Sequence, residues 1–110
     1  AKRCIGLGRD LLIFPSGDHG RFSLEDTVCG GMLIDLIIKG MDHPPALTDA
    51  SRTAQVLYQS FKNNVVEAFR LSCHGKDLID LGLEEDLLYC GQVDITEVVP
   101  IFRQGVIRRL

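Results

Sequence analysis

Two adjacent carboxylates, Glu25 and Asp26, follow a loop that carries Gly17, Gly20 and Ser23. Carboxylates are hard oxygen ligands, and a pair of them can hold a magnesium ion that bridges to substrate oxygens. Glycines let the backbone come close to an anion. Ser23 has the residue type of a helix N-cap, and a helix start presents free amides and a partial positive charge that suit a phosphate or sulfonate. The stretch Pro15-Ser-Gly-Asp-His-Gly-Arg-Phe-Ser-Leu-Glu-Asp26 therefore has the parts for handling a phosphorylated acid. The same residues have a structural reading. Asp26 can reach back to the Ser23 amide and complete a capping box, Glu25 can favour the helix dipole, and the glycines can simply turn the chain. Spacing alone favours this second reading, since carboxylates are common in first turns. The loop matches neither the P-loop nor the dinucleotide-binding pattern.

His19, in the loop, and His74, in Ser-Cys-His-Gly, are the acid–base candidates. For each alone, a surface or locally hydrogen-bonded histidine is the simpler reading. Cys73 adjoins His74, but neighbours in sequence need not face one another as a nucleophile and base must. Glu84, Glu85 and Asp86 open a helix-like stretch, where dipole complementarity explains them without a metal. Asp94 is a loop carboxylate with no partner visible in the sequence. The cysteines Cys4, Cys29, Cys73 and Cys90 show no C-x-x-C spacing and no histidine at a zinc-finger interval. Reduced thiols in a cytoplasmic protein are the expectation, with Cys29 behaving as a small buried hydrophobe inside a helix.

Elements that would position these residues can be read in order. Asp10–Pro15 is an apolar run closed by proline, which predicts a short, fully buried strand. Ser16–Gly20 is a loop by composition. A helix over Leu24–Lys39 follows, apolar around much of its circumference through Val28, Met32, Leu33, Leu36 and Ile37, and stopped by Gly40. Gly30 and Gly31 inside it each cost about 1 kcal/mol against alanine, so together they predict close backbone packing or approach of a ligand. After a connector containing Pro44 and Pro45, Asp49 is the expected N-cap of a long amphipathic helix reaching Ser72. Short helices are expected over Lys76–Leu81 and Glu84–Cys90. A strand over Glu97–Phe102, a turn at Gln104-Gly105 and a last strand over Val106–Arg109 close the chain. Two or three strands cannot make a sheet of ordinary size, which has about five or six. The others would come from a larger chain or from a partner.

Bulk composition narrows the function classes. The chain has 110 residues, enough for one small domain or part of a larger one. It is 45% hydrophobic and 25% charged, an ordinary globular balance. A net charge of −3 with no basic stripe argues against nucleic acid, and Arg103, Arg108 and Arg109 read as a solvated chain end. The apolar runs are too short to span a membrane. No signal peptide is visible. The opening Ala-Lys-Arg lacks a methionine, as in a trimmed or processed chain.

Several stretches, taken in order, resemble one family. Pro15 to Asp26 followed by Cys29-Gly-Gly31 resembles its glycine-rich segment running into Ser-Leu-Glu-Asp and a small-residue step, with Gly30 standing where the family has alanine. Ser72-Cys-His-Gly-Lys-Asp-Leu78, Gly82, Glu85-Asp86, Cys90 and Asp94 resemble its later pattern, and Val99-Pro100 with Gly105 resembles its closing segment. The family is the 2-phosphosulfolactate phosphatases, the ComB proteins of coenzyme M biosynthesis. The resemblance implies an α/β fold, a three-layer α/β/α arrangement with a mixed sheet, to which this chain would supply two or three strands and about four helices. It implies magnesium-dependent hydrolysis of 2-phospho-3-sulfolactate, or a related phosphorylated acid, to the free alcohol. It implies Glu25 and Asp26 as catalytic and Mg2+-binding carboxylates, Gly17, Gly20 and Ser23 as substrate-loop residues, and His74 as a further catalytic candidate. Family members are longer, so the chain would be the C-terminal half of such a protein, completed by an N-terminal half or by a homo-oligomer. The competing class is a non-catalytic assembly module that completes a sheet with another chain.

Overall fold

A computed structural model describes residues 1–110. It contains α1 (Lys2–Leu7), α2 (Leu24–Lys39), α3 (Asp49–Phe61), α4 (Val65–Leu71), α5 (Cys73–Asp80), α6 (Glu84–Cys90), β1 (Pro100–Arg103) and β2 (Val106–Arg109). This mixture of helix and strand agrees with the expected α/β class. The only sheet is an antiparallel pair, β1 with β2. None of the helices is long and apolar enough to cross a membrane.

Helix α2 is the centre of the molecule, with the bounds its sequence predicts. The buried Ser23 caps it, its hydroxyl accepting from the Asp26 amide at 3.2 Å. Val28, Ile34 and Ile37 of α2 form the core with Ala54 of α3, Ala68 of α4 and Leu87 of α6. Gly31 explains how closely α2 and α3 approach. A Cβ there would run into the Ala54 carbonyl and stand 2.8 Å from Tyr58 Cβ. Gly31 therefore serves backbone packing, one of the two predicted uses of the pair, while a Cβ on Gly30 would meet only the Ile13 side chain, at 3.3 Å. Asp35 is buried at the same interface and fully partnered, as a buried charge must be. It pairs with Lys39 Nζ at 2.7 Å and accepts from Gln59 Nε2 at 2.6 Å. The Lys39 ammonium, above all, holds the Asp35 carboxyl below its ordinary range, and Asp35 in turn raises Lys39.

The expected long second helix is in fact α3 and α4, separated at residues 62–64. Asparagine competes with the helix for backbone hydrogen bonds, and the Asn64 amide donates to the Phe61 carbonyl at 2.9 Å instead of continuing the α ladder. Thr48, not Asp49, is the N-cap, accepting from the Ser51 amide at 3.2 Å. Helix α5 begins at Cys73, before the predicted Lys76. Ser72 Oγ donates to the Phe69 carbonyl at 2.8 Å and accepts from the Gly75 amide at 2.8 Å. A Cβ on Gly75 would overlap that same carbonyl, so only glycine allows α4 and α5 to meet this closely. Helix α6 has its predicted bounds.

The strands differ most from expectation. Asp10–Pro15 is not a strand. Its residues belong to no ladder, and Leu12 and Phe14 are 83% and 87% exposed where full burial was predicted. A strand exists only beside another strand, and none in this chain runs along it. The short helix α1 before it was not predicted from the sequence. At the other end β1 starts at Pro100, not Glu97. Ile101 lies opposite Arg108 and Phe102 opposite Ile107. Gln104 and Gly105 have φ of 51° and 77°, the two positive values that a type I′ hairpin turn requires. This hairpin packs against none of the helices.

Candidate active site

The loop before α2 is built by its own backbone. The Arg21 amide donates to the Asp18 carbonyl at 2.8 Å, and the Asp18 amide donates back to the Arg21 carbonyl at 3.1 Å. His19 and Gly20 sit at the tip with φ of 49° and 75°, a second type I′ geometry. Gly17 also has a positive φ, and a Cβ on it would come within 2.7 Å of the Arg21 carbonyl oxygen. Both glycines are thus required by the turn itself. The amides of Gly17, Asp18 and Arg21 are spent inside the protein. Those of Leu24 and Glu25, in the first turn of α2, have no partner in the chain.

Asp26 ties this loop to the helix. Its Oδ2 accepts from the Gly17 amide at 2.8 Å, with Ser16 Oγ at 3.4 Å. The predicted capping box is therefore only half formed. Ser23 caps Asp26, but the Asp26 side chain turns away to the loop and does not return to the Ser23 amide. Glu25 is the unusual member. Its Oε2 is buried and has no hydrogen-bond partner. A buried polar atom left unpaired costs about 1–3 kcal/mol, and more when charged. A cation or a proton donor placed there would relieve that cost. Cys29, one turn further along α2, is exposed where burial was expected. Partial desolvation and, secondarily, the Asp26 carboxylate push its thiol above the ordinary value.

The fold brings Gly17, Gly20, Ser23, Glu25 and Asp26 into one loop–helix junction. Ser23 is buried and committed to its cap, so its part is to hold the helix start. His19 projects into solvent, its Nε2 3.7 Å from Asp18 Oδ1. His74 lies elsewhere. It is exposed on α5, which packs on α4 and α6 and does not touch α2. Cys73 beside it is exposed as well. Glu84 pairs with Arg70 at 3.1 Å. Asp94 lines a groove of about 470 Å³ with Met32, Leu36 and Lys62, away from the loop. No three His, Cys, Asp or Glu side chains converge as a metal shell. Glu25 and Asp26 are the two carboxylates of the junction, and a divalent cation there would need its remaining ligands from water, substrate or other protein groups. Ser16, which sequence reasoning passed over, joins the Asp26 clasp. Only its place ten residues before a helix-start carboxylate hinted at this.

A clasped glycine turn leading into the unpartnered first-turn amides of α2, with the carboxylates of Glu25 and Asp26 next in the chain, marks the loop–helix junction of this α/β chain as its candidate site. Comparison with known proteins narrows this class. The chain belongs to the 2-phosphosulpholactate phosphatase family, whose sequence model matches residues 1–105. It is 37% identical over 108 residues to a "Probable 2-phosphosulfolactate phosphatase" of Clostridium tetani, covering 98% of this chain and 45% of that protein. A protein of the same description from Thermosynechococcus vestitus is 43% identical over 91 residues, 80% of this chain and 37% of its own length. One from Symbiobacterium thermophilum is 35% identical over 96 residues, 87% and 41% of the respective chains. The chain thus spans less than half the length of these curated relatives.

Proposed function

We propose that a family-length protein containing this chain is a cytoplasmic, magnesium-dependent phosphatase that hydrolyses 2-phospho-3-sulfolactate, or a closely related phosphorylated acid, as in coenzyme M biosynthesis. The observation that carries this reading is Glu25 Oε2, buried and unpartnered beside a carboxylate that already organises a glycine loop. Family membership supplies the reaction class. In the same reading the chain is the C-terminal half of a three-layer α/β/α domain, with α2 and α3 on one side of a mixed sheet.

Glu25 and Asp26 are the residues that would hold Mg2+. When bound, the ion supplies neutralisation of phosphate charge and a water of lowered pKa. Asp26 fixes the Gly17 turn through Oδ2, which leaves its other oxygen free for a ligand. The unspent amides of Leu24 and Glu25, at the positive end of a 16-residue helix, face developing negative charge with no cost of reorganisation. Water adds to phosphorus, the ester P–O bond breaks, and the alcohol oxygen of the product takes a proton. His74 has no step in this scheme.

The test is phosphate release from 2-phosphosulfolactate by the family-length protein, with and without magnesium. Metal-dependent release is expected, with Glu25→Gln and Asp26→Asn each losing about 100-fold or more in kcat/KM while the helical circular dichroism is kept. Absence of release with any divalent metal would overturn the reading.

A further inference from the structure

Arg21 is the only lysine or arginine between residues 10 and 38, and so the only permanent cation on the glycine loop or the first turns of α2. Its main chain is held on two sides. Its amide and carbonyl are both bonded to Asp18 across the turn. Its carbonyl oxygen would stand 2.7 Å from a Cβ on Gly17, the residue whose amide bonds Asp26 Oδ2. Two short contacts therefore tie the Arg21 backbone to a carboxylate of the candidate site. The side chain is left free. It is exposed and enters no ion pair, although Asp18, directly opposite in the bridge, shares its face of the turn. Lys39 and Arg70, by contrast, are committed to Asp35 and Glu84. A guanidinium on a fixed backbone, with no partner in the chain, is a receptor prepared for an anion.

The chemistry of the proposed substrate says which anion. In 2-phospho-3-sulfolactate the carboxylate sits on the carbon that bears the phosphate ester, and the sulfonate sits on the next carbon. The carboxylate therefore stays beside the phosphate, and the sulfonate stands off from both. Glu25 and Asp26 are offset by the ion they would hold, and the amides of Leu24 and Glu25 face the phosphate. Nothing in that set answers the sulfonate, which is permanently charged and offers the paired oxygens that a guanidinium fork takes in two parallel bonds. We propose that Arg21 is the specificity-determining residue of the junction, and that its guanidinium pairs with the sulfonate of the substrate. This deepens the phosphatase reading and rests on it for the identity of the ligand. It selects the sulfonated ester over phosphorylated acids that lack the second acid group.

The test compares 2-phosphosulfolactate with 2-phospholactate, the same ester with hydrogen in place of the sulfonate. Both are given to the family-length protein and to its Arg21→Gln and Arg21→Lys variants. The preference for the sulfonated ester in kcat/KM should fall about 30-fold or more in Arg21→Gln, mainly through KM. Arg21→Lys keeps the charge but not the fork, and should restore part of the preference. An unaltered preference would overturn the inference. So would equal losses on both esters, which would put Arg21 on the phosphate, the carboxylate or the fold. Calorimetric binding of 3-sulfolactate, with magnesium present, reads the same contact without turnover. The unaltered protein should bind it, and Arg21→Gln should bind it about 30-fold more weakly, with unchanged far-ultraviolet circular dichroism. Equal affinities, or no binding by the unaltered protein, would again overturn the inference. A protein that binds 3-sulfolactate through Arg21 yet releases no phosphate would sink the proposed function and leave the sulfonate contact standing.

Discussion

The α2–α3 interface and the C-terminal hairpin are built from equally apolar sequence, yet one is closed and the other bare. At the interface, Gly31 admits the Ala54 carbonyl, Asp35 has both Lys39 and Gln59, and Val28, Ile34 and Ile37 are out of water. In the hairpin, Phe102 and Ile107 face each other across the ladder at 70% and 72% exposure, and no helix covers them. Helices satisfy their own backbone and need a neighbour on one face only. Strands need a neighbour for every backbone group, and a lone pair is marginal in water. Stability should therefore reside in the first region and be nearly absent from the second.

The comparison breaks most easily at Gly31. Gly31→Val should destabilise the fold by about 3 kcal/mol or more, because the new side chain meets main chain and not a movable side-chain end. Urea denaturation followed by helical signal measures this, and an unchanged midpoint would mean that α2 and α3 are not in register as described. Asp35 gives the next effect. Its carboxyl is lowered in the folded state, so its contribution is present above the ordinary carboxylate pKa and lost as pH falls through the folded value. Stability of the chain should fall on acidification below about pH 4, and Asp35→Asn should flatten that limb and cost about 1–2 kcal/mol at neutral pH. Lys39 is raised, so its share persists below the ordinary lysine pKa and fades only in strong alkali, as pH passes the folded value. Ser23→Ala removes the cap of α2 and should cost about 1 kcal/mol, read as an earlier thermal midpoint. Phe102→Ser in the hairpin should change stability by less than about 0.5 kcal/mol. A larger loss there would show that the hairpin is anchored to the helices after all.

The same contrast explains what could be read in the sequence. Helices α2 and α6 were legible to the residue, because Ser23, Gly40, the acidic first turn of α6 and Gly91 are local signals. The Gln104-Gly105 turn was legible for the same reason. The break between α3 and α4 was missed because the apolar spacing continues across Asn63 and Asn64 while the backbone does not. Asp10–Pro15 has a strand's composition, but whether it becomes one depends on residues far away or in another segment, which no local pattern records. At the candidate site, the Gly17, Gly20 and Ser23 positions were legible from turn and cap chemistry. The partner of Asp26 was not. Ser23 was the nearer choice in sequence, but the Gly17 turn delivers its amide to Oδ2 and wins the bond.

That bond makes the Gly17 amide a reporter. Loop and carboxylate are joined by it and by the longer bond from Ser16 Oγ, so whatever draws Asp26 Oδ2 away must loosen the turn, and whatever stiffens the turn must hold the carboxylate in place by the same free energy. The coupling is reciprocal, and the exchange rate of one backbone proton at the loop's edge reads out the engagement of a side chain on the helix.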